Sequence, residues 1–81
     1  MKETRYFTED VRERRPYIED AWLRRALEEP EYREVQLNGR IRHWIYVEVL
    51  EKYLRVVTLP DGETVHTAFP DRGFDPDQHP S

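Results

Sequence analysis

His66 is the one histidine of this sequence that strand alternation places among cationic side chains, on a shared face with Arg42 and Arg55. Imidazole changes charge near neutral pH. Guanidinium forks grip phosphate or carboxylate bidentately. Arg40, Trp44, Tyr46 and Tyr53 fall on the same alternation, and aromatic rings beside arginine suit stacking on planar groups such as bases. Together these side chains match RNA cleavage by attack of the adjacent 2′-hydroxyl. That reaction needs a group to move the proton, cations to stabilise the phosphorane and a ring to hold a base.

Other chemistries find less material. With no cysteine there is no disulfide framework, thiolate metal site or thiol nucleophile. Ser81 is terminal, and Thr8, Thr58, Thr64 and Thr67 have no evident base partner. His43 and His66 are expected on opposite sheet faces, and no ligand pair has zinc-finger or helical spacing, so neither a metal nor a cofactor is expected. The glycines form no phosphate-cradling loop. His43 reads as structural, with Glu34 as its expected cross-strand neighbour, and His79 as a tail residue without a role.

A net charge of −4 at pH 7 argues against bulk electrostatic binding of nucleic acid. The basic residues are nevertheless nearly all arginine, Lys2 and Lys52 being the exceptions. Met1 to Asp10 carries no apolar run, so no signal peptide is expected. No stretch approaches the roughly 20 apolar residues of a membrane span, so the cytoplasm is the expected compartment.

The elements that must position these residues are α+β: two N-terminal helices, then a four-stranded antiparallel meander. Thr8 is the expected cap of the first helix, with Glu9 and Asp10 after it and Pro16 closing it. Ile18, Ala21, Trp22 and Ala26, widened by Leu23 and Leu27, stripe the second helix as far as Pro30. Trp22 is its expected anchor on the sheet. Asn38-Gly39 and Asp61-Gly62 mark hairpins, and Leu50 to Tyr53 must also reverse the chain. The strands are then Arg33–Leu37, Arg40–Val49, Tyr53–Leu59 and Glu63–Phe69. Residues 1–74 form one domain, and 75–81 read as a mobile tail.

If all three connections are two-residue turns, the register follows. Leu37 pairs with Arg40, Leu50 with Tyr53, and Pro60 with Glu63. The core face then holds Ile41, His43, Ile45, Val47, Val49, Leu54, Val56, Val65, Thr67 and Phe69. Its opposite holds Arg40, Arg42, Trp44, Tyr46, Glu48, Tyr53, Arg55, Val57, Thr64 and His66. Glu48 would face Arg55, and Val57 would face His66. The plain alternative for this second face is a small additional core, with its aromatics under the first helix or the C-terminal segment.

The segments TEDVRERRPYIEDAWLRRALEEP, NGRIRHW and KYLRVVTLPDGETVHTAFPDRGF, KYLRVV and HTAFPDR above all, resemble small bacterial proteins placed near the RelE/ParE-type toxins. These belong to the microbial ribonuclease-like superfamily, and the resemblance runs from about Tyr6 to Phe74. It implies a RelE-like fold and a toxin of a toxin–antitoxin pair, acting as a metal-independent endoribonuclease neutralised by a small antitoxin-like protein. It also implies catalysis by His66, Arg42 and Arg55, with Tyr53 and Arg72 in support. In this reading RNA is held by Arg40, Trp44, Tyr46, Tyr53 and Arg72. ParE-like relatives act on a protein target, which leaves a second expectation: a non-catalytic binding module using the aromatic and arginine face.

Overall fold

The computed structural model describes residues 1–78; of the expected tail at 75–81, only residues 79–81, His79 among them, lie outside the described residues. Thr4 opens the first helix, α1 (residues 5–14). Its Oγ1 accepts the Phe7 N–H at 3.2 Å and its carbonyl accepts the Thr8 N–H at 3.1 Å. The cap is therefore Thr4 rather than Thr8, and Thr8 donates its hydroxyl back to the Thr4 carbonyl. The centre of α1, Phe7–Val11, is wound as a π-helix, with the Arg12 N–H reaching the Phe7 carbonyl. Phe7 and Val11, one turn apart, are its buried residues.

The chain does not begin with helix. Met1 to Thr4 run extended along the outer edge of the sheet, where Glu3 bridges Val65 in parallel. Arg12 fastens this segment, reaching Glu3 at 2.7 Å and Asp20 at 3.0 Å. The second helix, α2 (Asp20–Glu28), buries Leu23 and Ala26 completely. Trp22 and Leu27 only lean on that core and Ala21 is exposed, so Leu23 rather than Trp22 anchors the helix.

The sheet is antiparallel in the order β1 (Tyr32–Val35), β2 (Ile41–Val47), β3 (Lys52–Thr58), β4 (Val65–Asp71). Its three connections are all longer than two residues. Between β1 and β2 the Gly39 N–H bonds the Gln36 carbonyl at 2.9 Å, and the Gln36 N–H bonds the Arg40 carbonyl at 2.8 Å. That is a three-residue loop with glycine left-handed at its end. It slips β1 by one residue, so Arg33 faces His43 and Glu34 faces Arg42. Between β2 and β3, Glu48–Leu50 form a 3-10 turn and Glu51 turns left-handed at φ 53°. Val47 therefore pairs with Lys52, and Ile45 with Leu54 rather than Val49 with Leu54. This slip is even, so both strands keep their faces, although Val49 is left exposed in the turn.

The third hairpin starts as expected, with Thr58 opposite Val65, and then bulges at His66. Val57 faces Thr67, Val56 faces Ala68 and Arg55 faces Phe69. An extra residue in one strand flips every side chain beyond it. Thr67 and Phe69 accordingly leave the core face, and fully buried Ala68 takes their place. Glu48 does not face Arg55, nor Val57 His66. The core gathers Phe7, Val11, Ile18, Leu23 and Ala26 from the helical side against Ile45, Val47, Leu54, Val56, Val65 and Ala68.

Gly39 sits at φ 87°, and a Cβ there would meet Pro60 Cγ at 3.2 Å. Gly62 at φ 71° would meet only Ile41 Cδ1 at 3.8 Å. Urea denaturation of Gly39→Ala is expected to show a loss of about 1–2 kcal/mol, the cost of a left-handed alanine. The loss should exceed that of Gly62→Ala, which adds strain without the contact.

Candidate functional site

The face expected to bind RNA is closed over at its centre. Trp44 is 1% exposed and donates its indole N–H to Asp71 Oδ2 at 2.9 Å. Arg55 reaches the same oxygen through Nε at 3.0 Å and Nη2 at 2.9 Å. Phe74 stacks on Trp44 at 4.7 Å between centroids and also packs against Tyr53 and Tyr32. The C-terminal segment, not the first helix, makes this second small core. Beyond Phe74, Pro76–Gln78 form a turn of 3-10 helix within the stretch expected as a tail.

Asp71 is the organising group. Burial by itself raises its pKa. Donation from Trp44, the charge and hydrogen bonds of Arg55 and the Gly73 N–H outweigh this and leave it below the ordinary carboxylate value. Tyr53 meets Tyr46 edge-on at 5.3 Å, and burial together with Tyr32, Glu31 and Tyr46 raises its hydroxyl pKa. Arg42 is paired with Glu34 at 3.1 Å.

His66 is drawn to the N-terminal segment. Its Nδ1 lies 3.1 Å from Thr4 Oγ1 and its ring 5.1 Å from Tyr6. Its pKa is lowered, first by partial burial and then by the charge of Arg40. His66 and Arg40 thus mark one end of the sheet and Arg72 the other, about 20 Å away at about 3.3 Å per strand residue. No hydrogen bond or ring contact joins His66 to Arg42 or Arg55 among the described residues.

At the Arg72 end three connections converge on a concavity of about 340 Å³. Arg15 and Tyr17 come from the loop between the helices, Leu50 from the β2–β3 turn and Lys52 from the first position of β3, and Phe69, Pro70 and Arg72 from the end of β4 and the turn just after it. Each wall has a local cause. The Ile18 N–H bonds the Arg15 carbonyl at 3.2 Å, closing a turn with Pro16 at the position proline favours. Glu51 reverses the second connection. Asp71 Oδ1 accepts the Gly73 N–H at 3.1 Å and turns the chain at Arg72.

Among the described residues no carboxylate lines this concavity. None of Arg15, Lys52 and Arg72 has a carboxylate within ion-pairing distance among the described residues, nor have Arg24, Arg25, Arg33 and Arg40, whereas Arg5, Arg12, Arg14, Arg42 and Arg55 do. The Arg15 guanidinium lies 5.9 Å from the centroid of Phe69, a ring also 5.1 Å from the guanidinium of Arg55. Sequence reasoning included Arg72 but missed Arg15 and Lys52. No group of three His, Asp or Glu side chains is placed to hold a metal among the described residues, and no helix among them is long and apolar enough to cross a membrane. No family model, curated protein or solved structure matches this chain.

Proposed function

We propose that this protein is a non-catalytic binding module of RelE-like fold that recognises an anionic group at the loop end of its sheet. One observation carries the reading: in a chain with excess acid, Arg15, Lys52 and Arg72 converge on one concavity that no carboxylate lines among the described residues. Loops held by a rigid scaffold are where binding groups concentrate. An anion there would meet three cations that no acid among the described residues pairs with. On the expected RNA-binding face Arg55 is neutralised by Asp71 and Arg42 by Glu34, the Trp44 ring has no room for a base, and Arg40, at the far end beside His66, stands alone among the described residues.

The test is titration with inorganic phosphate at low salt, read from backbone amide shifts. Shifts at Arg15, Lys52 and Arg72, lost in Arg15→Gln/Arg72→Gln and weakened by salt, are expected. An absence of shifts there overturns the reading.

The toxin endoribonuclease, with RNA as substrate and a small antitoxin-like protein as partner, is the second reading. One feature favours it: His66 Nε2 makes no hydrogen bond among the described residues, and the lowered pKa favours the neutral ring a general base needs. RNA cleavage and growth arrest on induced expression, both lost in His66→Ala, would establish it in place of the first.

A further inference from the structure

We infer that the anion recognised at the loop-end concavity is a phosphate monoester carried beside a planar ring, namely a nucleoside 5′-monophosphate unit. This rests on the reading of that concavity as an anion site. Charge is the first argument. A carboxylate needs one guanidinium fork, whereas a phosphate monoester carries about −1.5 to −2 at neutral pH and three acceptor oxygens. Arg15 and Arg72 supply two forks and Lys52 a point charge, which is the complement of a monoester rather than of a single carboxylate.

The walls give the second argument. Tyr17 presents a half-exposed ring at the rim, and the planar Arg15 guanidinium is braced against Phe69. Both are surfaces on which a nucleobase stacks without regard to its identity. Size is the third. About 340 Å³ lies at the small end of ligand sites, enough for one nucleotide unit and not for a strand.

Outside the concavity a longer polyanion would meet the excess acid of a chain whose net charge is −4 even with these three cations counted. A phosphorylated peptide is the less favoured carrier. The adjoining strand has Pro70 here, which offers no N–H to a peptide backbone. The nucleotide unit can be free or the 5′ end of an RNA, since both present the same phosphate and ring.

Titrations of the whole chain at low salt with AMP, UMP, adenosine, ribose 5-phosphate and inorganic phosphate decide this. AMP and UMP should shift Arg15, Lys52 and Arg72 amides and Tyr17 ring protons. They should bind about tenfold more tightly than inorganic phosphate or ribose 5-phosphate, the gain of one stacked base. Adenosine should not bind. Tyr17→Ser should remove much of that gain while leaving phosphate binding, and Lys52→Gln should weaken every phosphate ligand. A 5′-phosphorylated trinucleotide binding more tightly than AMP identifies an RNA end as the source, and weaker binding identifies the free nucleotide. Nucleotides no tighter than inorganic phosphate, or weaker than O-phosphotyrosine, overturn this inference while the anion site stands. No binding by any phosphate overturns both.

Discussion

Asp71→Ala should destabilise the domain by about 3 kcal/mol, because it orphans two donors at once. The Trp44 N–H loses its 2.9 Å partner inside a ring that water barely reaches. An unsatisfied buried donor costs about 1–3 kcal/mol. Arg55 is then left uncompensated against Trp44 and Phe69. Its side chain is 24% exposed, so solvent recovers part of that cost and the full penalty of a buried unpaired charge does not apply. Asp71→Asn keeps one acceptor for the indole and removes the charge, and should cost about 1–2 kcal/mol. Urea unfolding of the two variants measures the difference. Equal losses would mean that the ion pair, not the indole bond, dominates.

The same substitution should reach the loop end. Asp71 Oδ1 holds the Gly73 N–H and so sets where Arg72 stands. Phosphate binding should weaken in Asp71→Ala although Asp71 does not line the concavity. With its folded pKa depressed, Asp71 contributes stability that is present above the ordinary value of 3.8 and lost as pH falls through the folded value.

The sequence located the turns better than it measured them. Gly39 and Gly62 are left-handed where Asn38-Gly39 and Asp61-Gly62 announce a reversal. A glycine that tolerates positive φ serves two-, three- and four-residue loops alike, so the dipeptide does not set loop length. The one-residue error on β1 moved Glu34 from His43 to Arg42. The four-residue error between β2 and β3 moved no side chain across the sheet, because side chains alternate with period two. The bulge at His66 has no glycine or proline to announce it. Its rationale is tertiary: α1 presses Phe7 and Val11 onto this side of the sheet, where Ala68 is fully buried, and Phe69 goes to Arg55 instead.

The two faces differed in legibility for a related reason. Core positions on β2 and β3 follow from period-two patterning, a local signal. The closure of the aromatic face depends on Phe74 meeting Trp44 and on Asp71 meeting both Trp44 and Arg55, all long-range contacts. The C-terminal segment was one of the covers that patterning allowed, and nothing local chose it. Arg15, Lys52 and Arg72 are likewise brought together only by topology. Three connections at one end of a four-stranded sheet juxtapose residues that share no periodicity. The Arg15-Pro16 turn and the abrupt end of β4 were the available signals, and each reads simply as a chain reversal.

Acidification from pH 7 to pH 4 should cost about 3 kcal/mol of folding free energy through His43 alone. The ring is 2% exposed, with Nε2 3.0 Å from Thr58 Oγ1 and Nδ1 without a partner among the described residues. Burial first, and the charge of Arg33 second, lower its pKa from 6.5 to about 4. Between those values the unfolded chain binds a proton that the folded chain refuses, so stability falls as pH falls. The contribution is intact above about 6.5 and is lost by about 4. Asp71 acts lower, below 3.8, and the two windows separate. His66 acts with the same sign, since its pKa is also lowered.

The control is His43→Leu with Thr58→Val, which removes both partners of the buried hydrogen bond and the unpartnered nitrogen together. Replacing both ends by apolar groups of similar shape is close to neutral at pH 7. Urea unfolding at pH 7, 5.5 and 4 should show a steep decline in the parent and a much shallower one in the double variant, the remainder belonging to His66. An unchanged slope in the double variant would place the titrating group elsewhere. A domain of this size has a total stability of only about 5–15 kcal/mol, so a proton forced onto His43 removes a sizeable share of what holds the sheet against its helices.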